Sequence, residues 1–161
     1  MVYPPSEDTY LTLELLKDVD HNDLCIEIGS GSCIISTYLS TKCRHVVAVD
    51  IDLNACKSCP PDIDVLCSDA AEAVARGDLV VSNPPYLPPE TPLDITHHDV
   101  GAVPKILRWI TTHRPRVVVL TFSSLGRADL ILDTLRTMCR IVDAGVYHLF
   151  FENIYTVRAL C

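Results

Sequence analysis

Leu24-Cys25-Ile26-Glu27-Ile28-Gly29-Ser30-Gly31-Ser32-Cys33 joins a short apolar run to a glycine turn, and Ile34, Ile35, Tyr38 and Leu39 follow at helical spacing. An apolar run of this length bounded by glycine reads as a buried strand. The positions after the turn read as a helix packed upon it. The unit then repeats along the chain. Val46 to Val49 is a second strand ending at Asp50, Asp52 to Lys57 a short helix, and Ile63 to Cys67 a third strand. Ala70 to Ala75 follows as a brief helix and Asp78 to Ser82 as a fourth strand. Strands alternating with helices predict an α/β fold: a Rossmann-like sheet, mostly parallel, with helices on both faces.

The flanks fit the same plan. Ser6-Glu7-Asp8 resembles a helix start with acids in the first turn, and Tyr10, Leu11, Leu13, Leu15 and Leu16 continue it in a partly helical rhythm. Leu87 to Asp99, with Pro88, Pro89, Pro92, His97 and His98, reads as a loop. Ala102 to His113 is then a helix, Arg116 to Phe122 a fifth strand and Gly126 to Met138 a further helix. From Arg140 to Leu160 the pattern turns β-rich, with a turn near Glu152-Asn153. A terminal hairpin adding an antiparallel strand is expected. With no repeat or linker in view, residues 1–161 read as a single domain.

The formal net charge of −8 argues against a nonspecific polyanion binder, which needs clustered Lys and Arg. Protein is the expected partner rather than nucleic acid. Eight cysteines would suit a secreted disulfide framework, but the N-terminus shows no charged-then-apolar leader and Cys25, Cys33 and Cys67 sit inside apolar runs. They are expected to be reduced, small hydrophobes of an intracellular protein of the cytoplasm, with the nucleus also open to it. Cys56-Lys57-Ser58-Cys59 is a single C-x-x-C without a second pair, read as a loop coincidence, and no metal site is expected. No apolar run is long enough to span a bilayer. The hydrophobic share of 48% and mean hydropathy of +0.25 are high for so charged a chain. Parallel strands buried on both faces explain part of this, and an apolar patch covered by another protein would explain the rest.

The glycine turn reads as one half of a reaction site. Gly29 and Gly31 allow a ligand to approach the backbone at a helix N-terminus. Asp50 follows about 20 residues further on, at the end of the next strand, where a carboxylate accepts both hydroxyls of a ribose. A dinucleotide would suit this much. The G-x-G-x-x-G arrangement fails, however, because position 34 is Ile, and Glu27 puts a carboxylate where a pyrophosphate would be repelled. A cationic nucleoside fits better. S-adenosylmethionine carries a sulfonium and an amino group and no phosphate. Ser68-Asp69-Ala70 offers a carboxylate for the adenine amine and a backbone N–H for a ring nitrogen. Taken singly, Asp50 and Asp69 would pass as solvated strand-end acids or helix caps.

Asn83-Pro84-Pro85-Tyr86, after Leu79-Val80-Val81, reads as the other half. Two prolines remove two N–H donors, so the chain leaves the sheet as a stiff loop. Asn83, before a proline, is held extended. Its side-chain carbonyl and the Pro84 carbonyl can then accept both N–H bonds of one planar –NH2 group, tilting the nitrogen lone pair toward an electrophile. Tyr86 supplies a face for stacking. An ordinary Pro-Pro turn is the plainer reading of the tetrapeptide alone.

Together these residues resemble the HemK-like class I S-adenosylmethionine methyltransferases, specifically the eukaryotic and archaeal branch that methylates a class I translation release factor. The resemblance covers nearly the whole chain. It rests on Tyr3-Pro4-Pro5-Ser6-Glu7-Asp8-Thr9, similar to the branch's Tyr-x-Pro-x-Glu-Asp-Thr start, on Glu27-x-Gly29-x-Gly31, Asp50 and Asp69, and on Asn83-Pro84-Pro85-Tyr86. Cys33 departs from it, since relatives usually carry a third glycine there. The resemblance implies a cofactor, S-adenosylmethionine, bound by Glu7, Thr9, Glu27, Gly29, Gly31, Asp50, Ile51, Asp69, Ala70 and Asn83. It implies catalysis by Asn83, Pro84 and Tyr86, with Pro85 completing the substrate site. The implied acceptor is the glutamine amide of the release factor's Gly-Gly-Gln motif. It also implies a heterodimer with a small zinc-binding activator protein that adds a strand to the sheet edge. Ile63, Val65 and Leu66, on the expected outermost strand, are the candidate edge. Adenine-N6 or guanine-N2 methylation of nucleic acid would use the same tetrapeptide but should show a basic stripe or a recognition domain. A protein lysine methyltransferase would also fit acids near the pocket, and an inactive methyltransferase-like scaffold would share the fold without the reaction. His97 and His98 read as solvated loop residues shaping the substrate entrance rather than as a base.

Overall fold

A computed structural model of the protein describes residues 4–94 and 96–161. Its centre is a seven-stranded sheet in the order β3-β2-β1-β4-β5-β7-β6. The strands are β1 (Asn22–Ile28), β2 (Cys43–Asp50), β3 (Asp64–Cys67), β4 (Leu79–Ser82), β5 (Val117–Ser123), β6 (Arg140–His148) and β7 (Asn153–Leu160). β1 to β5 pair in parallel, while β7 runs antiparallel to both β5 and β6. The helices are α1 (Glu7–Leu16), α2 (Ile34–Leu39), α3 (Leu53–Ser58), α4 (Ala102–His113) and α5 (Ala128–Met138).

The run of Val and Leu in β4 and β5 is explained by burial on both faces, for every residue of these two strands is buried. Alternation sends Leu79, Val81, Val117 and Val119 toward Leu16 of α1 and Ile35 and Leu39 of α2. Val80, Val118 and Leu120 face Ile106 and Ile110 of α4 and Ile131 and Leu135 of α5. Helices thus cover both faces, as the sequence pattern predicts. A buried chain of hydroxyls, Thr12 to Thr121 at 2.6 Å and Thr121 to Thr156 at 2.7 Å, fastens α1 to β5 and β7.

Three expectations are corrected. Residues 70–75 form turns rather than a helix, because Ala70 takes a φ of 49° and cannot open a right-handed helix. Ile63 falls just before β3 and is buried at 7% exposure against Cys33 and Ala48, so the exposed edge is carried by Leu66 and the half-buried Val65. The terminal hairpin forms as expected, β6 and β7 both joining the sheet with the turn between His148 and Asn153. The cysteines are paired rather than reduced: Cys25 with Cys43, Cys33 with Cys59, Cys56 with Cys67 and Cys139 with Cys161. Each pair is assembled by tertiary structure: from neighbouring strands, from the glycine turn and the end of α3, from α3 and β3, and from the ends of α5 and β7. Cys33 stands at φ 60°, in the left-handed region that favours glycine, which accounts for the glycine usual at that position in the family it resembles.

Candidate active site

From β1 the chain steps outward through β2 to β3, then returns to lay β4 on the other side of β1. The loops after β1 and β4 leave neighbouring strand ends at the point where the strand order reverses, the place of the candidate crevice. Open α/β sheets bind ligands at such switch points.

The β1 side is a turn opened by glycine. The Gly29 and Ser30 N–H groups donate to the Val49 carbonyl at 2.8 and 3.0 Å, holding the turn against the end of β2. Gly29 and Gly31 have φ of 79° and 47°, and a Cβ built on either meets nothing within 4 Å. Backbone here fronts open space. Asp50 is fixed by two N–H donors, Gly31 to Oδ2 and Asp52 to Oδ1, each at 2.8 Å. A carboxylate has about four acceptor sites, so about half its capacity remains for two hydroxyls. Ile51 beside it is 65% exposed. At the end of β3, Asp69 is ion-paired with Lys105 of α4 through Oδ2, with Ala70 directly after it.

Glu27 occupies the floor. It is 2% exposed, and its Oε2 accepts from the Ser36 N–H at 2.7 Å and from the Ser36 hydroxyl. Burial pushes its carboxyl up to about 8; the two Ser36 hydrogen bonds oppose the rise and the Asp50 charge adds to it. A carboxyl in that state gains most from a cation placed beside it.

β4 delivers the other side. The Ser82 hydroxyl donates to the Ile28 carbonyl at 2.7 Å and ties the two strand ends together. Next comes Asn83, whose Oδ1 is buried and has no hydrogen-bond partner among the described residues. Leaving such an acceptor unmet costs about 1–3 kcal/mol, which a ligand N–H would recover. Pro84 is buried and Pro85 and Tyr86 are half-buried. Tyr86 Oη donates to Asp8 Oδ2 at 3.2 Å, and Asp8, 5% exposed, also accepts from the Thr9 N–H at 2.7 Å. Behind the tetrapeptide, a Cβ on Gly126 would overlap the Tyr86 carbonyl oxygen.

The fold therefore gathers Glu27, Gly29, Gly31, Asp50 and Asn83 around one crevice and sets Asp69 at the end of β3. Glu7 is exposed and held by the Ser6 hydroxyl, while Thr9 is buried in the capping box with Ser6. Tyr3 lies outside the described residues. The histidines belong to a self-contained loop: His98 accepts from the Asp94 N–H at 3.1 Å and His97 meets the Asp94 carboxylate at 3.0 Å. Hydrogen bonds from Thr96, then His97, hold Asp94 down to about 2. Sequence reasoning passes over Asp8, Ser36, Lys105 and Gly126. Only Asp8 leaves a signal, as the middle residue of Glu7-Asp8-Thr9.

This topology and switch-point crevice define the class I methyltransferase fold. In sequence, the chain is similar to a Methanocaldococcus jannaschii protein named protein N5-glutamine methyltransferase, 38% identical over 96 residues that are 54% of this chain and 48% of the relative. It is 28% identical to the human methyltransferase HEMK2 over 122 residues, 63% of this chain and 56% of the relative. The chain spans about half the length of the curated relatives it matches. Among solved structures, the E. cuniculi Mtq2-Trm112 complex responsible for methylation of the eRF1 translation termination factor superposes with a TM-score of 0.78 at 22% identity, covering 99% of this chain and 98% of that one. A ribosomal protein L11 methylase from Lactobacillus delbrueckii superposes at 0.72 with 14% identity, over 98% of this chain and 80% of that one. No family model matches the chain.

Proposed function

We propose that the chain is the catalytic subunit of an S-adenosylmethionine-dependent protein-glutamine N-methyltransferase, acting on the glutamine of the Gly-Gly-Gln motif in a class I release factor. The observation that carries this is the buried, unpartnered Asn83 Oδ1 at the switch point. An acceptor in that position suits an amide N–H. The one relative named for glutamine methylation supports the same acceptor, and the charge of −8 favours protein over nucleic acid.

The crevice suits the donor. Open backbone at Gly29 and Gly31 leaves room for it, the free capacity of Asp50 suits ribose hydroxyls, and Glu27 suits the amino-acid cation. When bound, the donor supplies an activated methyl group. Asn83 and the Pro84 carbonyl hold the amide N–H bonds and Tyr86 packs on the amide plane, so that the nitrogen lone pair lies in line with the methyl carbon. With the donor bound, the amide nitrogen so held would accept the methyl group from sulfur as the S–C bond broke and would then lose its surplus proton to water. Orientation of this kind contributes up to ~7 to 11 kcal/mol in well-aligned systems. Asp8 is a positioning residue that steadies the Tyr86 hydroxyl.

The partner site is the outer edge of β3, where Val65 and Leu66 leave a short strand unpaired among the described residues. A small zinc-binding activator adding a strand there would cover it. No described helix is long and apolar enough to cross a membrane. The proposed substrate places the enzyme in the cytoplasm or nucleus, among the exceptional intracellular proteins that carry disulfides. The test is incubation with labelled donor, with and without activator, offering release factor or DNA. Label on the glutamine is expected; label in DNA, or no donor affinity even with activator present, would overturn the reading.

A further inference from the structure

The β6–β7 hairpin ends in a turn that carries two adjacent phenylalanines almost wholly in solvent, Phe150 at 95% and Phe151 at 86% exposure. Their rings meet edge to face at 5.2 Å, and Leu149 beside them is 41% exposed. Hairpin tips are ordinarily built from polar and glycine residues, and these aromatics cover no core. The turn is well formed: the Leu149 N–H donates to the Glu152 carbonyl at 2.9 Å and His148 pairs with Asn153.

Two observations place this tip. β7 runs antiparallel to β5 with Ile154 opposite Ser123, so the tip stands at the carboxyl end of the sheet, the end that holds the crevice. It is also stitched to the loop after β5. The Ser124 N–H donates to the Asn153 carbonyl at 2.8 Å, the Asn153 N–H to Ser124 Oγ at 3.0 Å, and the Ser123 hydroxyl to Glu152. That same loop carries Gly126, pressed against the Tyr86 carbonyl. Tip, loop and acceptor tetrapeptide form one continuous rim.

We propose that Phe150 and Phe151 form a docking contact for the polypeptide that presents the acceptor glutamine. The inference rests on the protein-glutamine reading above. β7 lies two strand spacings from β4, about 10 Å, or about three residues of extended chain. The contact therefore falls on apolar side chains some distance from the glutamine, on a surface of the folded substrate. The edge proposed for the activator, β3, is the opposite end of the sheet from β6. Exposed aromatic pairs of this kind supply much of the energy of protein interfaces.

The test is the double variant Phe150→Ser, Phe151→Ser in the complex with activator. Both side chains are exposed, so the fold should be kept. The expected result is a KM for release factor raised about tenfold or more, with kcat and S-adenosylhomocysteine affinity by calorimetry unchanged. An unchanged KM with wild-type enzyme that labels the glutamine overturns the docking inference alone. So does a joint loss of kcat and cofactor affinity, which would make the tip structural, or a change confined to self-association or activator affinity. Wild-type enzyme that fails to label release factor overturns the glutamine reading and the docking with it.

Discussion

Replacing Glu27 by Gln removes one charge from the floor of the crevice while keeping a side-chain oxygen to accept from the Ser36 N–H and hydroxyl. In the folded protein the carboxyl is raised by burial from 4.5 to about 8. Between those pH values the native state keeps a proton that the unfolded chain has released. The contribution of Glu27 to stability is therefore fully present below pH 4.5 and is lost as pH rises through about 8. The slope is ~1.4 kcal/mol per pH unit, giving ~3 kcal/mol lost at pH 7 and ~5 kcal/mol above pH 8. Against a total stability of about 5–15 kcal/mol, that is a large share. Gln cannot titrate, so Glu27→Gln should match wild type near pH 4.5 and exceed it by several kcal/mol at pH 8. Urea unfolding from pH 4.5 to 9 with the disulfides intact reads the difference directly. Donor binding supplies the missing cation, so wild-type affinity for S-adenosylmethionine should rise up to about tenfold per pH unit as pH climbs toward 8. The variant should bind weakly at every pH. Parallel stability curves for the two proteins would refute the argument, since they would mean that Glu27 does not carry a raised pKa.

Asn83→Ala should retain cofactor binding by calorimetry and lose methyl transfer; loss of both would make Asn83 structural. Asp50→Ala, which removes a doubly anchored acceptor, should weaken cofactor binding about 100-fold while the circular dichroism spectrum stays native, and unchanged affinity would sink the ribose assignment. Gly126→Ala should displace the tetrapeptide, because its Cβ overlaps the Tyr86 carbonyl. Transfer should then fall far more than S-adenosylhomocysteine affinity, and an active variant would show that the rim yields. Thiol titration of the denatured, unreduced protein should find no free cysteine and, after reduction, eight; free thiols before reduction would contradict the pairing.

Most of the fold is legible in the sequence because strand and helix signals are local. The apolar runs ending at Ile28, Asp50 and Ser82 are strands buried on both faces, and no partner is needed to recognise them. Residues 70–75 mislead for a reason that composition hides: four alanines favour a helix, but the left-handed turn at Ala70 keeps one from starting there. The cysteines mislead for another. Spacing along the chain says nothing of which strands become neighbours, and Cys25 meets Cys43 only because β1 lies beside β2. The apolarity of Ile63 suggests a place on the sheet edge, yet that same apolarity buries it under the glycine turn.

The candidate site divides in the same way. Asn83 to Tyr86 stands out because the four proposed acceptor residues are contiguous, and the proposed donor residues because they sit at strand ends in chain order. Their supports are not, because Ser36, Lys105 and Gly126 act across elements far apart in sequence. The structure adds that both halves are incomplete in complementary ways. Glu27 is a buried carboxyl in need of a cation, and Asn83 Oδ1 a buried acceptor in need of an N–H. In the proposed reaction the donor's ammonium meets the need of Glu27, and a neutral amide, which has N–H bonds but no charge, meets that of Asn83. On that proposal two unlike ligands lie side by side at the switch point, which is the arrangement that group transfer between them requires.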